Sequence, residues 1–90
     1  MARLGMDVDE VERVAAGLHQ QSQALHQSMT AIEKLVTQAV HAWEGQDSKQ
    51  FMDWWNSQHK PAINRASEAI EGLSRAAKQN ADAQRRVSDN

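Results

Sequence analysis

Val11, Ala15, Leu18, Ser22, Leu25, Met29, Ile32, Val36, Ala39 and Trp43 follow one another at alternating steps of four and three. That spacing is the seam of an α-helix packed lengthwise on others, and over this length it leaves the segment little else to become. Val14, Leu35 and Val40 lie beside the seam and widen it from coiled-coil width toward that of a bundle helix with two neighbours. Asp7 suits the N-cap, Glu10 stands three residues on as in a capping box, and Met6 is placed to staple against Val11. A first helix over about residues 7–43 is predicted, roughly 55 Å long at about 1.5 Å per residue.

The pattern stops at Trp43-Glu44-Gly45. Gly45 can take the left-handed conformation that ends a helix, and Asp47 with Gln50 offers the next N-cap and its reciprocal partner. A turn over 44–47 and a second helix over about 48–86 follow, with frayed tails at 1–6 and 87–90. In the second helix Ile63, Ala66, Ile70, Leu73, Ala77, Asn80, Gln84 and Val87 alternate at three and four, beside Ala62, Ala69, Ala76 and Ala83. This phase does not run cleanly back to Phe51 and Trp55. Pro61 removes a helical N–H and presses its ring on the carbonyl of Ser57, which predicts a kink or break between Ser57 and Lys60.

So short a connection makes the helices antiparallel neighbours, and the expected fold is an all-α, two-helix hairpin forming one domain over residues 1–90. The acidic start (Asp7, Asp9, Glu10, Glu12) then lies beside Lys78, Arg85 and Arg86, although exposed pairs of this kind contribute only about 0–1 kcal/mol each. A lone hairpin does not cover two such wide stripes. The seam residues Val11, Leu18, Leu25, Met29, Ile32, Val36, Ile63, Ile70 and Leu73 therefore predict dimerisation of two hairpins into a four-helix bundle.

Composition narrows the function by exclusion. With no cysteine and four histidines that lack a metal-ligand spacing, no metal or cofactor site is expected. The clustered acids at the N-terminus are explained by capping, and no nucleophile motif or phosphate-binding glycine loop occurs, so no catalytic residue is assigned. A net charge of −2 argues against generic nucleic-acid binding. No apolar run is long enough for a secretory signal or a stable membrane insertion. All four aromatic residues, Trp43, Phe51, Trp54 and Trp55, gather around the bend. Trp43 and Phe51 fall on stripe positions and read first as caps of the core. Trp54 and Trp55 are adjacent and cannot both face inward, so one of them, Trp54, is expected to be partly exposed and able to anchor a partner.

The opening Met6-Asp7-Val8-Asp9-Glu10-Val11, the mid-chain Trp43-Glu44-Gly45, Phe51 eight residues later and the alanine-rich end of the second helix together resemble the WXG superfamily. These are the early secreted antigenic target-like small proteins of type VII secretion, and the resemblance covers nearly the whole chain. It implies a hairpin that pairs antiparallel into a four-helix bundle, leaves the cell folded without a signal peptide, and has no enzymatic activity. Its partners would be a second copy of itself or a related small W-x-G hairpin protein, together with the type VII secretion ATPase. In that family the bend tryptophan and glycine, here Trp43 and Gly45, form one part of a composite export signal, and a Tyr-x-x-x-Asp/Glu tail forms the other. This chain departs from the tail motif: it has no tyrosine, and Asn80 and Gln84 stand at the aligned positions. The resemblance then implies either a partner that bears the intact tail or a diverged homodimer. The competing expectation is a cytoplasmic dimeric helical scaffold or chaperone-like interaction module in which W-x-G is coincidental.

Overall fold

The first helix, α1, spans Val8–Ala42 in a computed structural model that describes residues 6–89, with side chains described through Val87. Of the tails expected at 1–6 and 87–90, residues 1–5 and 90 lie outside the described residues. Asp7 is the N-cap, its carboxylate accepting the Glu10 N–H at 3.1 Å. The carboxylate of Glu10 is engaged elsewhere, accepting the Arg13 guanidinium at 2.8 Å one turn on.

The second arm is α2, Gln46–Trp54, then a π-helical turn, Trp55–His59, then α3, Lys60–Asp89. Gly45 does have a positive φ, 112°, but with ψ −176° it is not the left-handed end of α1. Trp43 ends that helix in extended conformation, and Gly45 is the N-cap of α2. The expected Asp47 cap is therefore displaced: the helix has already started at Gln46, and Asp47 lies in its first turn, where its charge still suits the positive end of the helix dipole. Ser48, buried, donates its hydroxyl to the Gly45 carbonyl at 2.8 Å and closes the turn.

At Pro61 the chain neither breaks nor stops. The preceding turn widens, with the Lys60 N–H donating to the carbonyl of Trp55 five residues back, which gives the proline ring room. A π turn takes up about one extra residue and so rotates everything beyond it by about 100°. That rotation accounts for the phase slip between Phe51 and Ile63 in the sequence. The helix continues to Asp89, three residues past the expected end.

The arms lie antiparallel in a rod with extents of 67 × 17 × 15 Å. At the bend end the core is large and apolar: Met29, Val36 and Trp55, with Phe51, Met52 and Ile63 packed against them. Toward the open end it is small. Ala15, Ser22, Ser74 and Ala81 are buried, and the serines tie one helix to the other. Ser22 and Ser67 each donate to the other's backbone carbonyl at 3.0 Å, and Ser74 donates to the carbonyl of Ala15 at 2.6 Å. Side chains this small let the helix backbones approach, and each hydroxyl finds a partner, which is the condition for burying it at little cost.

A Cβ on Gly45 would meet nothing within 4 Å, and one on Gly72 would meet only Arg75 Nη2 at 4.0 Å. Space is available at both, so backbone conformation decides. Gly45→Ala is expected to lower unfolding stability by about 1–3 kcal/mol, because its φ and ψ are open almost only to glycine. Gly72→Ala, inside a regular helix, should raise it by about 0.5–1 kcal/mol. Chemical denaturation of both variants reads the opposite signs.

Candidate functional site

Two features stand out once the charged side chains are accounted for: the bend, and one long face of the hairpin. At the bend Trp43 is 42 % exposed. Its ring leans on Phe51 with centroids 5.5 Å apart and planes tilted by 51°. Trp55 is buried, at 5 % exposure, while its neighbour Trp54 is 49 % exposed, as a 100° step around a helix requires. Ile32, Val36, Phe51, Trp54, Trp55 and His59 line an open, apolar hollow of about 280 Å³ beside them.

The buried tryptophan is fixed by a small polar knot. Its Nε1–H donates to Glu33 Oε1 at 3.1 Å, and the Lys60 ammonium reaches the same oxygen at 2.6 Å. The hydrogen bond from Lys60, then that from Trp55, hold the Glu33 carboxyl below the usual carboxylate range. This was not expected from the sequence, since Glu33 sits one step off the seam. The only available signal was its heptad relation to Glu12, His19 and His26.

Those residues belong to one edge of the hairpin, and that edge is closed by ion pairs and hydrogen bonds. Arg85 bridges Asp9 at 3.1 Å and Glu12 at 2.7 Å, and His19 Nδ1 lies 2.8 Å from Glu71. The opposite face carries no charge over residues 11–42 of α1 and 62–87 of α3. On α1 it comprises the rows Val11, Leu18, Leu25, Ile32; Val14, Gln21, Ser28, Leu35; and Gly17, Ala24, Ala31. On α3 it comprises Ile63, Ile70, Ala77, Gln84; Ala66, Leu73, Asn80, Val87; and Ala62, Ala69, Ala76, Ala83.

The seam expected from the sequence is divided between these surfaces. Met29 and Val36 are buried within the hairpin; Val11, Leu18, Leu25, Ile63 and Ile70 are half-buried; Ile32 and Leu73 are exposed. In α3 the line facing α1 is not the apolar one but Ser67, Ser74 and Ala81, offset by about one residue. Their seven-residue spacing was the sign that could have found them. Asn80 is exposed, its amide donating to the Ala76 carbonyl one turn back at 2.7 Å, and Gln84 is half-buried. Among the described residues no His, Asp and Glu converge in a group able to hold a metal ion, and no helix is long and apolar enough to cross a membrane.

The depressed Glu33 carboxyl gives the bend a pH dependence with a definite sign. A group whose folded pKa lies below its unfolded value of about 4.3 stabilises the fold above that value, and the gain is lost as pH falls through the folded one. Acidification below about pH 4 should therefore loosen Trp55 first. Near-ultraviolet dichroism or fluorescence of a variant retaining Trp55 alone reads this, and Glu33→Gln should flatten the response.

The model of the family described as proteins of 100 residues with WXG matches residues 3–87. No curated protein and no solved structure matches the chain. The match spans both arms and the bend between them, and the chain belongs to the WXG100 family, whose members are small helical proteins associated with type VII secretion.

Proposed function

We propose that the protein is a small, non-enzymatic hairpin exported folded through a bacterial type VII secretion system, as a substrate or as the co-secreted partner of one. The observation that carries this reading is the bend. Trp43 is 42 % exposed at the bend of the hairpin, its ring leaning on Phe51, while Gly45 holds a backbone conformation that other residues avoid. Core formation at this end falls to Trp55, which leaves Trp43 free to contact the secretion ATPase.

The charge-free face supports the second part of the proposal, that export occurs as one half of a four-helix bundle. Val14, Leu35, Leu73 and Val87 are all exposed large apolar side chains on that face, and a partner hairpin covers them at the usual return of about 25 cal/mol per Å² of apolar surface buried. The protein would be cytoplasmic before export and extracellular after it.

The test follows the protein in culture medium with the secretion ATPase present and deleted. It should vanish from the medium, and accumulate in cells, on deletion. Trp43→Ala should reduce export at least about tenfold with helicity unchanged and stability lowered by only about 1–3 kcal/mol, for one aromatic pair and the apolar area that a half-exposed ring buries. Appearance in the medium regardless of the ATPase would overturn the export reading, and retention in cells with the ATPase present would favour the cytoplasmic scaffold and leave W-x-G a turn and nothing more.

A further inference from the structure

We propose that Glu33 and Lys60 are positioning residues of the export signal: by clamping both ends of the π turn they hold α2 in the one rotation that sets Phe51 against Trp43. The inference rests on the reading of Trp43 as the side chain recognised in export, and it names what keeps that side chain in place.

The rotation of α2 is not set by the chain ahead of it. Trp43 is extended, and Gly45 has φ 112° and ψ −176°, so α2 enters from a segment that is not helical. The Ser48 hydroxyl bond to Gly45 lies within the turn and moves with the helix. On its other side α3 is fixed, because Ser67 and Ser74 are bonded to α1. Counting back from Ser67 at α periodicity, three turns are about 11 residues and five are about 18, which would bring Asn56 and Lys49 to the line that faces α1. The structure buries Trp55 and Ser48 instead, each one position earlier in the chain. The π turn takes up that surplus residue. If it reverted to α, α2 would turn by about 100°. Asn56 would then enter the core, and Phe51 would take the place now held by exposed Gln50, away from Trp43.

The polar knot distinguishes the two states. Trp55 and Lys60 are the residues whose backbone bond defines the wide turn, the Lys60 N–H donating to the Trp55 carbonyl. Their side chains converge on one atom: the indole N–H donates to Glu33 Oε1 at 3.1 Å, and the Lys60 ammonium lies 2.6 Å from the same oxygen. Residues five apart lie about 140° around an α-helix but nearly one above the other in a π turn, whose bonds span five residues. One carboxylate on α1 therefore receives both donors while the turn is wide; in the α state Trp55 turns away and the indole bond is broken. Glu33 is about 15 Å along α1 from Trp43. Its influence reaches that tryptophan through Trp55, α2 and Phe51, not by contact.

The chain has three tryptophans, and nitrogen-15 labelling gives three indole N–H resonances to follow. Glu33→Gln and Lys60→Met should each shift the Trp43 resonance as well as that of Trp55, with helicity retained. Both should reduce ATPase-dependent export at least about fivefold, as the fraction of chains with a competent bend falls. Lys60→Arg, which keeps a charged donor, should preserve resonance and export. Arg85→Gln, which removes the ion pairs with Asp9 and Glu12 at the open end, should change neither, and so separates positioning from a general loss of stability. Deleting Ser57, exposed in the wide turn, together with Pro61→Ala removes both the surplus residue and the ring that needs the room. Adding Glu33→Gln to that chain should leave its Trp43 resonance and its export as they were. A Trp43 resonance that stays in place in Glu33→Gln and Lys60→Met, or that shifts while ATPase-dependent export is unchanged, overturns the proposal and leaves the export reading standing. A Trp43 resonance that shifts in a chain reaching the medium regardless of the ATPase overturns the export reading and leaves the clamp on Trp43 standing.

Discussion

The register between the arms is set where their backbones come closest, at the serines. Ser22 and Ser67 exchange hydroxyl bonds to each other's carbonyls, and Ser74 repeats the contact one heptad away on Ala15. Each such bond contributes about 0.5–1.5 kcal/mol, so they do not hold the hairpin together by energy alone. Their effect is geometric. A directional bond between a short side chain and a backbone carbonyl tolerates no slip, whereas an apolar helix interface of small residues would accept several. Once 22 is opposite 67, the other placements follow: Asp9 and Glu12 of the first helix meet Arg85 of the last, while Lys78 pairs with Asp82 of its own helix, and the broad apolar rows of both arms turn to the same outer face.

A hairpin sealed by small and polar residues has a further consequence. Serine and alanine bury little apolar area, so the open end buries little of its apolar surface within the hairpin. Only the bend end, with Met29, Val36 and Trp55, has a core of ordinary size. The molecule is thus graded along its length, with a large apolar core at the bend and a small one toward the open end. That gradient is the physical reason to read the family's hairpin as a subunit rather than a finished domain.

The architecture was legible in the sequence because heptad spacing over thirty residues has one interpretation, and because Asp7 and the W-x-G segment mark where the first helix begins and ends. Three things were hidden. Gly45 was visible as a glycine with a special backbone, but its role as the cap of the second helix depends on both dihedral angles, which sequence does not carry. Pro61 signalled trouble, and the slipped phase between Phe51 and Ile63 recorded the extra residue, yet a kink and a π turn leave the same mark. The division of the seam was the deepest omission. Hydrophobicity located the stripe, but a stripe that serves two neighbours does not say which neighbour belongs to the same chain. The answer lay in Ser67, Ser74 and Ala81, residues that hydrophobic patterning passes over.

On the proposed reading, the same division separates recognition from folding at the bend. Had Trp43 been the core residue its stripe position suggests, exposing it to a receptor would compete with folding. Trp55 instead fills the core, its indole N–H satisfied by Glu33 and Glu33 in turn by Lys60. The widened turn that rotates the chain ahead of Pro61 begins at Trp55 itself, so the proline and the buried tryptophan are parts of one device. With the core closed beneath it, Trp43 is held by one aromatic neighbour and a glycine that fixes the exit of the chain. A side chain that leans on one ring yet stays 42 % exposed has the combination of order and access that the proposed role in export requires.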